Sequence, residues 1–172
     1  EFIRTPIGPK PKGHEINLLF AGAPVVYQFS LDETRYPAWT AFLEYHYRYG
    51  HIGGVTAGFD WFYDGSQEVF YNERDSIFNV STLEKMYAGL HLGHSLYIHN
   101  FNLETQGGWY VYKPADYKGN WYMRFALKYH FSKRFFANVG LKTLNGGGAD
   151  WAEFGIGYKL FSSQLRKQKR EQ

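Results

Sequence analysis

Glu153-Phe154-Gly155-Ile156-Gly157-Tyr158-Lys159-Leu160-Phe161 is the stretch on which the fold turns. Phe154, Ile156, Tyr158 and Leu160 fall on one face of a strand, and Glu153, Gly155, Gly157 and Lys159 on the other. The same period of two runs through earlier segments. Trp121, Met123, Phe125, Leu127, Tyr129 and Phe131 oppose Arg124, Ala126, Lys128 and His130. Trp39, Ala41, Leu43, Tyr45, Tyr47 and Tyr49 oppose Thr40, Phe42, Glu44, His46 and Arg48. Val55, Ala57, Phe59, Trp61 and Tyr63 oppose Thr56, Gly58, Asp60 and Phe62. Alternation over so many short segments predicts an all-β protein whose strands each carry one apolar face.

Turn residues divide the chain into eight extended segments: Glu15–Phe29, Pro37–Tyr49, Gly53–Tyr63, Thr82–Leu92, Ser95–Tyr112, Asn120–Phe131, Phe135–Leu144 and Asp150–Phe161. No helix of useful length and no internal repeat is expected. Tight turns at Tyr49 to Gly53, Gly93-His94 and Ser132 to Arg134 alternate with longer connections at Phe29 to Pro37, Asp64 to Ser81 and Tyr112 to Gly119. Short turns on one rim and longer loops on the other describe an eight-stranded antiparallel transmembrane β-barrel with periplasmic turns and extracellular loops. The charges on the polar faces favour an inside-out arrangement. Glu44, His46, Arg48, Asp60, Arg124, Lys128, Lys142 and Lys159 would pair as ions in a side-chain-filled lumen, and the apolar faces would meet lipid. Glu153, Gly155, Tyr158, Leu160 and Phe161 then resemble the C-terminal assembly signal of bacterial outer-membrane barrels.

Composition agrees. Aromatic residues make up 20% of the 172 residues, with 15 Tyr and 5 Trp, as the interfacial girdles of a barrel require. No run approaches the roughly 20 apolar residues of a membrane helix. The absence of cysteine removes disulfides, thiol catalysis and cysteine metal sites. Glu1-Phe2-Ile3-Arg4 lacks the pattern of a signal peptide, so the sequence is expected to begin after processing. The net charge of +3 resides in a tail with Arg166, Lys167, Lys169 and Arg170 against Glu171. The body is near neutral, which argues against nucleic-acid binding. Three parts are expected: a periplasmic segment 1–14, a barrel 15–161 and a basic periplasmic tail 162–172.

Tyr45-x-Tyr47-Arg48, Phe62-Tyr63-Asp64-Gly65-Ser66, Tyr122-Met123-Arg124-Phe125-x-Leu127-Lys128-Tyr129, Phe136 to Thr143 and Ala149 to Tyr158 occur in that order. Together they resemble the lipid A 3-O-deacylase (acyloxyacyl hydrolase-like) barrels, in the form common in Bacteroidota. The likeness runs from about Trp39 to Phe161. It implies an outer-membrane enzyme that cuts an ester-linked acyl chain from lipid A with a serine, a histidine and a glutamate near the last two strands. Leu144 stands at the family histidine position and Gly146 at the serine position, and the Asn145-Gly146-Gly147-Gly148 connection is one residue longer than the family implies. Only Glu153 matches the triad. The Gly119-Asn120-Trp121-Tyr122 run resembles the Gly-x-Trp element of lipocalins, which that family carries on its first strand rather than two-thirds along.

His91, His94 and His99 are expected around one tight turn, where three converging rings would bind metal. The favoured reading is interfacial histidines without metal, and no cofactor is called for. The loop from Asp64 to Ser81, with Glu68, Phe70, Tyr71, Glu73, Arg74, Asp75 and Phe78, has the mixed composition of a protein-docking loop. The expected function is a pseudoenzyme: a non-catalytic outer-membrane barrel, in contact with lipopolysaccharide and lipid A, serving a larger protein assembly. The alternatives are a hydrolase with a rearranged site, using Thr143, Ser95 or Ser66, or a lipopolysaccharide-binding barrel.

Overall fold

The alternation read above closes on itself in the computed structural model, which describes residues 12–26, 34–75, 79–114, 119–145 and 147–163. The strands are β1 (Gly13–Val26), β2 (Arg35–Arg48), β3 (Gly53–Asp64), β4 (Met86–Ile98), β5 (Phe101–Tyr112), β6 (Trp121–Tyr129), β7 (Phe135–Leu144) and β8 (Gly148–Ser162). They lie in chain order, every neighbouring pair antiparallel, and β8 pairs back onto β1 to complete the barrel. Closure leaves no strand edge unpaired, the condition for a sheet to sit in lipid.

The apolar faces point outward. Phe20, Leu43, Leu92, Leu103, Phe125, Leu127, Leu141, Phe154 and Ile156 are exposed, while Glu44, Asp60, Arg124 and Lys142 have no accessible surface. A continuous apolar belt of that extent would not stay monomeric in water. No helix among the described residues is long and apolar enough to cross a membrane.

All five tryptophans lie in the half of the barrel nearer the long loops. Trp39, Trp61, Trp109 and Trp121 project outward, with Trp39 stacked on Tyr63 at 5.8 Å. Tyr45, Tyr49, Tyr129 and Tyr158 gird the short-turn rim, where Tyr45 and Tyr49 meet His14 and His94. At that rim a bulge between Ile16 and Asn17 shifts the β1–β8 register, and Leu160 and Phe161 are consequently both exposed instead of alternating.

The lumen is filled in layers. At the long-loop end Val25, Ala38, Phe62, Tyr87, Tyr110, Tyr122 and Trp151 form one cluster. Leu19, Ala21, Phe42 and Phe136 form a second against β1. Gly157 faces Phe136, and any Cβ there would strike the Phe136 ring. Charged side chains occupy the space between the clusters.

Three sequence expectations require correction. The β4–β5 turn is at His99-Asn100, where His99 takes φ 58°, and not at Gly93-His94. The loop after β3 contains a helix, α1 (Gln67–Asp75), followed by a 3-10 turn at Leu83–Lys85. Asp64 accepts bonds from the Ser66 amide and hydroxyl at 2.9 and 2.6 Å, which turns the chain into α1. Phe70 and Tyr71 are buried against Val69 and Val80, so they hold the loop together and are not open docking anchors. Phe29, Phe78, Gly146 and the tail residues Arg166, Lys167, Lys169 and Arg170 lie outside the described residues, as do the side chains of Arg74 and Asp75.

Candidate functional site

The register lines up inward positions of four strands in one row. Glu44 of β2 is opposite Gly58 of β3, which is opposite His91 of β4 and then Gly108 of β5. Asp60, Gln106, Arg124, Lys142 and Glu153 surround this ring from neighbouring positions. Glycines at 58 and 108 leave room for His91 and Tyr122 to cross the lumen.

Asp60 accepts from Arg124 Nη1 at 3.0 Å, from His91 Nδ1 at 2.6 Å and from the Tyr122 hydroxyl. The other His91 nitrogen lies 3.1 Å from Glu44 Oε2. Both ring nitrogens thus face carboxylate oxygens, the arrangement of an imidazolium that donates from each side. Lys128 Nζ bridges Glu44 at 2.7 Å and Glu104 at 2.5 Å. Glu104 also accepts from Asn102 at 2.6 Å, Gln106 at 3.1 Å and Ser95 at 3.4 Å. Glu44, His46 and Glu104 have ligand atoms close enough to hold a metal ion. The Lys128 ammonium already stands between the two carboxylates, so this donor set is served by a cation of the chain itself.

Lys142 enters the aromatic cluster. Its ammonium lies 4.1 Å from the Trp151 ring centre, 4.7 Å from Phe62 and 5.3 Å from Tyr110, and it pairs with Asp150. Asp150 is the extra residue of a bulge between β7 and β8, where Lys142 pairs with Trp151 and Thr143 with Ala149. The bulge turns the Asp150 carboxylate toward Lys142 and supplies the counter-ion for a fully buried amine.

Two of the basic residues expected in the lumen sit at its short-turn end. Lys159 pairs with Glu15 at 3.1 Å. Arg48 donates to the carbonyls of Gly50 and His51 at 3.1 and 2.6 Å and covers the Tyr97 ring, so it ties the β2–β3 turn and makes no ion pair with the central ring. The three histidines expected to converge do not. His91 is luminal, His94 points outward to Tyr49 at 2.7 Å, and His99 forms the turn. Glu104, Gln106 and Tyr122 were not singled out from sequence. With the turn at residues 99–100, Asn102, Glu104 and Gln106 alternate with Leu103, Thr105 and Gly107, a pattern that would have marked them.

The positions that the resemblance gives to the triad glutamate and histidine are separated by the register. Glu153 is opposite Gly140, whereas Leu144 is opposite Gly148. These levels are four positions apart on β7, about 13 Å along the strand. Glu153 is 1% exposed, accepts from Thr40 Oγ1 at 2.6 Å and ion-pairs with Arg124 Nε at 2.9 Å. Of the alternative nucleophiles, Thr143 has its Oγ1 buried with no hydrogen-bond partner among the described residues. Ser95 Oγ donates to Glu104, and Ser66 Oγ to Asp64.

Residues 14–163 match the family model for the acyloxyacyl hydrolase C-terminal domain. The chain belongs to that family. No curated protein matches it in sequence. Among solved structures, Ail, the attachment invasion locus protein of Yersinia pestis, resembles it with a TM-score of 0.50 at 15% identity, over 87% of this chain and 99% of Ail. A de novo designed transmembrane β-barrel gives 0.48 at 13% identity, over 90% and 100% of the two chains. At such identity the likeness to Ail shows a shared fold, the small barrel of outer-membrane type. Within the acyloxyacyl hydrolase family the chain keeps the scaffold, while leucine and glycine stand where the resemblance calls for histidine and serine.

Proposed function

We propose that this acyloxyacyl hydrolase-family barrel is an integral protein of the bacterial outer membrane that performs no hydrolysis and acts as a structural or accessory subunit of a larger assembly. The carrying observation is the state of Glu153. A carboxylate that orients a catalytic base must face that base. Here it is enclosed by Arg124 and Thr40, and the residue at the base position is Leu144. The charge that once served chemistry serves the lumen.

In this reading the Glu153, Gly155, Tyr158, Leu160, Phe161 pattern directs insertion. Residues 1–14 and the tail 162–172 lie on the periplasmic side, and the α1 loop faces outward from the cell. The belt meets outer-membrane lipid, including the lipid A portion of lipopolysaccharide. The packed lumen argues against transport, because eight strands enclose only enough space for side chains. Extraction in mild detergent followed by chemical cross-linking tests the subunit role. Reproducible cross-links to the same neighbouring proteins are expected, and a lone monomer with no neighbour contradicts it.

A further inference from the structure

The surroundings of Lys142 differ from those of Lys85, Lys128 and Lys159. The side chains of Lys142 and Asp150 are 0% and 3% exposed, and their ion pair runs from β7 to β8. Lys159 and its partner Glu15 are both partly exposed, and the Glu68 partner of Lys85 is 47% exposed, so water reaches these two pairs. Lys128 is buried, but it is shared by Glu44 and Glu104, and both carboxylates also accept from Gln106. Its setting is polar on every side.

The walls around Lys142 are aromatic. Its Nζ lies 4.1 Å from the Trp151 ring centre, 4.7 Å from Phe62, 5.3 Å from Tyr110 and 5.5 Å from Tyr122. All four rings are buried. Ring faces attract an ammonium but take no proton from it. Among the described residues, Asp150 is the carboxylate that pairs with Lys142.

The bulge brings that carboxylate into reach. Asp150 is left over between the Lys142–Trp151 and Thr143–Ala149 pairs. A strand that alternated without interruption would send its side chain to the face opposite Trp151. The extra residue re-aims it toward the amine. An amine and a carboxyl held in contact, with water excluded, are the reactants of an amide bond. Hydration of the two ions opposes their condensation in water, and burial has already removed that hydration. Fixed position replaces a bimolecular encounter.

We propose that Lys142 and Asp150 condense into an isopeptide crosslink that ties β7 to β8 once the barrel has closed. The ammonium proton passes to the carboxylate, and the neutral Nζ attacks Cγ. A carboxyl C–O bond then breaks, and the hydroxyl leaves with a second amine proton as water. The third proton stays on the amide nitrogen, and no outside reactant is consumed. The product exchanges a buried ion pair for a neutral group, a change that is often neutral or stabilising. The crosslink does not depend on whether the barrel hydrolyses lipid or joins an assembly.

Tryptic peptide mapping of the full chain by mass spectrometry tests the proposal. Barrel extracted from membranes in detergent is compared with the same chain recovered unfolded from inclusion bodies in urea. The folded wild type should yield residues 135–159 as one peptide, lighter by one water and uncut after Lys142. The unfolded chain should be cut there and carry its full mass. Lys142→Arg keeps the positive charge without the amine, and it should lose no water and be cut after residue 142. Heat-modifiable gel mobility identifies the folded fraction, and the wild-type comparison alone decides the question should the variant not fold. Cleavage after Lys142 in the folded wild type would overturn the proposal. That holds also for a dehydrated but cleaved peptide, which marks a cyclic imide at Asp150 instead of a bond to the lysine.

Discussion

Arg124 holds the lumen together at the scale of single residues. It ion-pairs Asp60 and Glu153, donates to Gln106 and lies over the Phe42 ring at 4.9 Å. Removing it strands two buried carboxylates. Arg124→Ala should therefore lower unfolding stability by about 3–5 kcal/mol, the cost of breaking a buried pair. The denaturant midpoint of the barrel in detergent measures it, and a shift of only a few tenths would show that water replaces the guanidinium. His130, in the turn after β6, gives a pH dependence. Burial and then the Lys159 ammonium push its imidazole down to about 4 from an ordinary 6.5. The folded state favours the neutral ring, so the stability it contributes is present above pH 6.5 and is lost as pH falls toward 4. Acid titration of the unfolding midpoint should fall less steeply in His130→Phe than in the wild type. Glu44, Asp60, Arg124 and Lys128 were legible in the sequence because each is a charge at an inward position of a cleanly alternating strand. Glu104 was not, and His91 was read as a turn histidine instead of a luminal one, because their strands were divided at the wrong turn.

At the scale of elements, that misplaced turn has a physical origin. β4 and β5 place Gly89, Gly93, Gly107 and Gly108 among their residues, and glycine blurs alternation on whichever face it occupies. Gly93-His94 then resembles a turn, although the chain reverses at His99-Asn100. Helix α1 was hidden for a different reason. It has nine residues, too few to stand alone, and it is held by the packing of Phe70 and Tyr71 and by the Lys85–Glu68 pair at 2.6 Å. The last strand was the most legible element, and its glycines are required by their neighbours. Gly157→Leu should block folding, because the Phe136 ring fills the space a side chain needs. Combining it with Phe136→Ala should restore part of the heat-modifiable species. Failure of the double variant to recover would place the obstruction elsewhere.

Over the whole molecule, polarity is reversed relative to a protein in water: ions inside, apolar residues outside. Val139, at the middle of β7 and 50% exposed, belongs to the lipid belt. Val139→Arg should cost about 2–4 kcal/mol in vesicles, as a charge near the bilayer midplane does. A neutral effect would mean that this face is not in hydrocarbon. On the proposed reading, with Leu144 and Gly146 at the positions the resemblance gives to the base and nucleophile, the Glu153 carboxylate serves as a partner for Arg124. Mass spectrometry of lipid A incubated with the detergent-purified barrel, beside Glu153→Gln, tests this most directly. The account predicts unchanged lipid A with both proteins and a lower unfolding midpoint for the variant. Loss of one acyl chain with the wild type alone would contradict it and make this barrel an enzyme with a rearranged site.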